Sequence, residues 1–154
     1  SMALPTFISQ NLGAGEYERA KKGAVIGILS GAVFSEAIGI LLYFVCPYLL
    51  HIFVNTPEAI EFGTIHGKTV SLFFFMLAIT HCGAGALRGL GKAIVPMIVL
   101  LSCWCGIRIL YVTAALRYFP VFRTISWAYP FTWTLSACIL WFILMRLDWK
   151  AMKS

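Results

Sequence analysis

Charged side chains are scarce in this sequence, and acidic ones are the scarcest. Asp, Glu, Lys and Arg make up 12% of its 154 residues, against about 25% in soluble globular domains. Between Glu61 and Asp148 there is no acidic residue. A soluble protein of this composition would have almost no polar surface with which to cover its core, so the composition excludes an ordinary soluble domain.

Cysteine patterns that would indicate a metal site or a disulfide framework are also lacking. None of the five cysteines forms a CxxC pair, and no Cys/His spacing suits zinc. We therefore predict no metal and no cofactor, and interpret the cysteines as small apolar packing residues.

Long hydrophobic segments are abundant. Four of them span roughly residues 24–46, 69–87, 93–116 and 125–145, and a helix of about 20 apolar residues crosses a bilayer. Residues 1–12 are apolar but too short to span, which we interpret as the end of a truncated helix. The sequence thus predicts an all-α, polytopic membrane helix bundle of half a helix followed by four transmembrane helices.

The basic residues predict the topology of these helices. Cytoplasmic loops are enriched in Lys and Arg. One side of the predicted bundle carries eight basic residues: Arg19, Lys21, Lys22, Arg88, Lys92, Arg146, Lys150 and Lys153. The other side carries Lys68, Arg117 and Arg123. We therefore place the C-terminus in the cytoplasm and attribute the net charge of +6 to topology rather than to nucleic-acid binding.

Small residues recur every fourth position along the first segment, at Gly23, Gly27, Gly31, Ser35 and Gly39. Residues four apart share one helix face, and such a stripe allows close helix packing in lipid. In the following connection, Thr56 and Pro57 indicate a helix N-terminus. We expect a short surface helix there, ending near Thr64, before the second span.

Two motifs occur at predicted cytoplasmic ends of membrane segments. Residues 10–20 read QNLGAGEYERA, and residues 87–92 read LRGLGK, followed by Pro96. These resemble the QNxGAxxxxRA signature and the LRGxG…P element of the multidrug and toxic compound extrusion (MATE) transporters. The matching positions are Gln10, Asn11, Gly13, Ala14, Arg19, Arg88, Gly89, Gly91 and Pro96. We also expect Gln10 and Asn11 to hydrogen-bond the end of the first helix.

The resemblance implies part of the C-terminal lobe of a twelve-helix transporter, from the end of helix eight through helix twelve. Such a protein would be a multi-pass plasma-membrane antiporter, not an enzyme. It would export organic, often cationic compounds by alternating access, coupled to H⁺ or Na⁺. Its partners would be membrane lipid and the N-terminal lobe of the same polypeptide, without which this part would not transport. The alternative is a lipid-linked saccharide flippase of a related superfamily.

One departure from the family concerns coupling. Some family branches carry a coupling carboxylate on helix ten, which corresponds to the second predicted span here, and that span has no acid. Either the coupling carboxylate lies in the N-terminal lobe, or another residue couples transport.

Three ionisable residues lie in the central third of the predicted bilayer and are candidates for the ion or substrate pathway. Glu36 is either a structural acid, satisfied by a hydroxyl or by Arg108, or a buried proton carrier. His81 is either a neutral histidine bonded to a carbonyl or a proton switch or substrate donor. Arg108 either extends toward the outer surface, stacking between Trp104 and Tyr111, or pairs with Glu36.

Overall fold

The computed structural model describes residues 3–118 and 122–149, and these residues form helices with no β-strand. The elements are α1 (Ala3–Gly13), α2 (Tyr17–Phe53), α3 (Pro57–Ser71), α4 (Phe74–Gly89), α5 (Ile94–Leu101), a π-helix (Ser102–Ile107), α6 (Arg108–Tyr118) and α7 (Phe122–Arg146). This confirms the predicted all-α bundle.

Long apolar helices dominate the described part of the chain. Three of them, Tyr17–Phe53, Ile94–Arg117 and Thr124–Arg146, are long and apolar enough to cross a membrane. The pair α3 and α4 would make a fourth span that is bent by 54° at a short break. Helix α2 extends beyond the first predicted segment, residues 24–46, at both ends. Residues of moderate polarity continue its backbone hydrogen bonds without a break.

The predicted boundary between a surface helix and the second span is wrong. The helix begins as predicted, with Thr56 in the N-cap position and Pro57 first, although the Thr56 side chain makes no capping bond. It does not end near Thr64 but continues to Ser71. The Thr69 hydroxyl donates to the carbonyl of Ile65 at 2.7 Å, so this polar residue is satisfied within the helix and need not end it.

The small-residue stripe of α2 is a packing surface, as predicted. A Cβ added at Gly27 would lie 2.7 Å from a Leu4 methyl group of α1, and one at Gly31 would lie 3.0 Å from the Cys82 Sγ of α4. At Gly39 the added atom would collide with the backbone carbonyl oxygen of Ser71, at the end of α3. The absence of side chains on this face therefore lets α2 approach three helices closely.

Both family motifs form helix C-termini of the Schellman type. At the end of α1, the N–H of Glu16 donates to the carbonyl of Asn11 at 2.8 Å, and Gly15 has φ +76°. At the end of α4, the N–H of Lys92 donates to the carbonyl of Leu87 at 2.9 Å, and Gly91 has φ +75°. Glycine adopts this left-handed conformation without steric cost.

The second motif also lies against α1, at residues that precede the first motif. A Cβ at Gly89 would be 2.7 Å from the carbonyl oxygen of Pro5 in α1. Asn11 donates from Nδ2 to the carbonyl of Phe7 at 2.7 Å, one turn earlier in α1 rather than at the end of that helix. Of the other motif residues, Gln10 and Arg19 have exposed side chains. Pro96 is buried in the first turn of α5.

Candidate functional site

A network of neutral polar groups joins α4, the π-helix and α7. The hydroxyl oxygens of Thr80 and Ser136 are 3.2 Å apart, and both residues are fully buried. Trp104 of the π-helix donates from its indole Nε1 to the Ser136 Oγ at 3.2 Å. Buried polar groups need such partners, so this network fixes the mutual position of the three elements.

Arg108, the first residue of α6, extends this network. Its Nη2 donates to the Thr132 Oγ1 at 2.7 Å, and its guanidinium carbon lies 4.3 Å from the Tyr129 ring centre and 5.9 Å from that of Trp104. Its buried Nε–H has no acceptor in the described part of the chain. Arg108 is thus held by Thr132 of α7 and by the rings of Tyr129 and Trp104, and its Nε–H remains without an acceptor.

Two predictions about Arg108 are therefore wrong. Tyr111 does not stack on its guanidinium but on Phe131, at a ring-centre distance of 5.4 Å. Glu36 is not its partner, because the Glu36 carboxylate accepts a hydrogen bond from the backbone N–H of Phe75, whereas Arg108 bonds Thr132. The bond to Thr132 holds Arg108 in the α6–α7 interface.

Glu36 lies at the break between α3 and α4. Its Oε2 accepts a hydrogen bond of 3.2 Å from the backbone N–H of Phe75, the second residue of α4. That N–H has no acceptor within its own helix, and a carboxylate is favoured at a helix N-terminus. On the same face of the break, the Ser35 hydroxyl donates to the carbonyl of Phe74 at 3.2 Å.

His81 lies on the exposed side of α4. Its imidazole meets the Trp104 ring edge-to-face, at a centre distance of 5.5 Å. Trp104 also lines a cavity of about 360 Å³, a size typical of small-molecule sites. The cavity is otherwise lined by Arg88, Ala93, Met97, Leu100, Leu101 and Cys105. It is therefore apolar and aromatic with one cationic edge.

Trp104 thus brings two of the three sequence candidates together, since both His81 and Arg108 contact its ring. Glu36 belongs to a different location, on α2. Sequence reasoning missed Thr80, Thr132 and Ser136, because they are uncharged. One signal was present in the sequence: small, hydroxyl or aliphatic residues recur every fourth position along α7, at Ala128, Thr132, Ser136, Leu140 and Leu144, and all five are buried.

A further polar contact joins α3 to α7. The Nδ1 of His66 lies 3.2 Å from the Ser126 Oγ, and its ring meets that of Tyr129 edge-to-face at 5.1 Å. His66 was not among the predicted candidates. Because Tyr129 also lies under Arg108, this contact continues the polar network toward the start of α7.

Comparison with known proteins identifies the family. The family model described as MatE matches residues 1–113. The chain is 30% identical over 128 residues to the probable multidrug resistance protein NorM of Thermotoga maritima, covering 82% of this chain and 27% of that protein. It is 25% identical over 147 residues to an FAD transporter of Shewanella oneidensis, covering 96% and 32%.

A eukaryotic protein is similar over a shorter stretch. The human multidrug and toxin extrusion protein 2 is 34% identical over 92 residues, covering 60% of this chain and 15% of that protein. The chain therefore spans between about a seventh and a third of the length of these relatives. The family match, the apolar helices and the two motif turns agree: this chain is part of a membrane protein and belongs to the MatE family.

Proposed function

We propose that this chain is part of a secondary active multidrug exporter. The exporter would carry organic, often cationic compounds out of the cell in exchange for H⁺ or Na⁺, by alternating access. The match of the MatE family model to residues 1–113 is the observation that carries this proposal. The chain would supply most of one lobe, with the other lobe on the same polypeptide.

The cavity beside Trp104 supports a role in substrate passage. Its walls are apolar, and a tryptophan face binds organic cations through its quadrupole as well as through apolar contact. We propose that His81, beside the same ring, is exposed to the translocation pathway. The plasma membrane would be the site of action, and the basic loops would place the C-terminus in the cytoplasm.

The test is drug resistance in a susceptible host that lacks its own efflux pumps. The host would express the complete gene product, meaning the product of the open reading frame that encodes this chain. We expect raised resistance to several structurally unrelated organic cations. Unchanged susceptibility despite normal membrane expression would contradict the proposal. If membranes with the same protein flip a labelled lipid-linked saccharide, the alternative function of a lipid-linked saccharide flippase is favoured.

A second candidate is export of flavin nucleotides. The Shewanella relative is named an FAD transporter, and the Trp104 cavity has Arg88 at one edge. An isoalloxazine ring could stack on the indole while a phosphate contacts the guanidinium. Extracellular flavin fluorescence in cultures with and without the complete gene product separates this candidate from cation export.

A further inference from the structure

We propose that a second cavity, at the end of α3, binds the phosphate group of an anionic phospholipid, with Lys68 as its counter-charge. This cavity measures about 400 Å³ and is formed by residues of α2, α3 and α7 and of the break before α4. It shares no lining residue with the cavity beside Trp104. The inference therefore goes beyond the proposed exporter function and does not depend on it.

Lys68 gives this cavity its positive charge. Its side chain is half-buried, and its Nζ lies 5.2 Å from the centre of the Tyr43 ring. Across residues 3–118 and 122–149, no carboxylate pairs with this ammonium group, and no acidic residue lines the cavity. Burial of a charge is costly unless an opposite charge lies beside it, so the charge of the cavity complements an anionic ligand.

The position of the cavity along the helices corresponds to the depth of lipid headgroups. Tyr43, Lys68 and Trp127 line it from three different spans. About 20 residues separate each of them from a basic residue at the opposite end of its span, which corresponds to about 30 Å of helix, the thickness of the hydrocarbon core. The three side chains thus coincide with one membrane interface. The basic residues at the opposite ends are Lys22, Arg88 and Arg146.

Apolar and aromatic side chains form the walls around Lys68. The rings of Phe73 and Trp127 meet edge-to-face at a centre distance of 5.8 Å, and Leu72 and Trp127 are exposed. Tryptophan is enriched at membrane interfaces because one end of its ring system is apolar and the other is polar. An acyl chain can therefore lie over these side chains while its phosphate stays beside the ammonium group.

A phospholipid fits this cavity better than a free anion does. One ammonium group attracts a hydrated phosphate ion only weakly, because strong phosphate sites combine several donors. Binding at a membrane surface instead adds the burial of an acyl chain to the attraction between opposite charges. Lys68 supplies the charge, and the exposed Leu72 and Trp127 supply the apolar surface. A lipid that carries a net negative charge is the ligand that uses both.

The experiment measures binding of phosphatidylglycerol to the purified, delipidated complete gene product by native mass spectrometry. We expect Lys68→Gln to weaken the first binding step about fivefold and to reduce the preference for phosphatidylglycerol over phosphatidylcholine with the same acyl chains. Lys68→Arg keeps the charge and should retain both properties. Arg117→Gln is the matched control, because Arg117 is exposed at the end of the third span and does not line the cavity.

A second measurement needs no Lys68 variant and serves if Lys68→Gln fails to fold. Phosphatidylglycerol with brominated acyl chains quenches tryptophan fluorescence on contact, and Trp127→Phe should lose part of this quenching.

Four results would overturn the inference. The first two are equal affinities of Lys68→Gln and the unmodified protein, and equal quenching with and without Trp127. Displacement of the lipid by inorganic phosphate alone would assign the cavity to a free anion. Absence of phosphatidylglycerol binding to the unmodified protein would show that another part of the polypeptide covers the cavity.

Discussion

Arg108 and Thr132 form a hydrogen bond of 2.7 Å between α6 and α7, from the guanidinium Nη2 to the hydroxyl Oγ1. Thr132 is fully buried, and its hydroxyl donates a hydrogen bond to the carbonyl of Ala128 at 2.9 Å. A guanidinium within a membrane-spanning segment is costly unless its donors are satisfied. This pair satisfies one donor of an arginine in the third span, while its buried Nε–H has no acceptor in the described residues.

The first prediction concerns this bond. Thr132→Val removes the acceptor and leaves a second Arg108 donor without a partner, at a cost of about 1–3 kcal/mol. We expect a lower thermal unfolding temperature for the purified complete gene product. Thr132→Ser, which keeps the hydroxyl, is the control. Equal unfolding temperatures for the two variants would show that the bond contributes nothing to stability.

The second prediction concerns the approach of α2 to α3. Gly39→Ala would place a methyl group against the Ser71 carbonyl oxygen, which belongs to the backbone and cannot rotate away. We expect a loss of about 1–3 kcal/mol in unfolding free energy, as in overpacked cores. Gly106→Ala is the matched control, because no atom lies within 4 Å of a Cβ there. If both variants are equally stable, the close approach is not a constraint.

The third prediction concerns the turn after α4. Gly91 has φ +75°, and an alanine in this left-handed conformation costs about 1–2 kcal/mol. We expect Gly91→Ala to reduce the unfolding temperature more than Gly91→Asn, since asparagine tolerates this helix-terminal position better. The same order of stability should hold at Gly15. The reverse order at either position would contradict the assigned turn geometry.

The fourth prediction separates two histidines. His81→Ala removes an exposed imidazole beside Trp104 and should lower resistance conferred by the complete gene product at normal expression. His51→Ala is the control, since His51 is exposed near the end of α2 and bonds only locally, to the carbonyl of Pro47 at 2.6 Å. Undiminished resistance in His81→Ala would exclude a functional role for His81.

Features encoded by regular spacing could be predicted from the sequence. The apolar segments predicted the helices, and glycine at every fourth position of α2 predicted its packing face. The two motifs indicated the family. These features depend on residues close together in the chain, so a periodic pattern is enough to find them.

Features created by contacts between distant residues could not be predicted in the same way. The break after Ser71 depends on Glu36 and Ser35, which lie 39 residues away from their partners. The π-helix at Ser102–Ile107 likewise has no local marker in the sequence. The Glu36–Arg108 pairing was inferred from similar depth alone, and depth does not determine which helix faces which.

The most direct test of the central claim is efflux from cells that express the complete gene product and are loaded with a fluorescent organic cation. Proton and Na⁺ gradients are imposed separately. The account predicts efflux of the organic cation that one of the two gradients drives. A well-expressed protein that exports no organic cation under either gradient would contradict it.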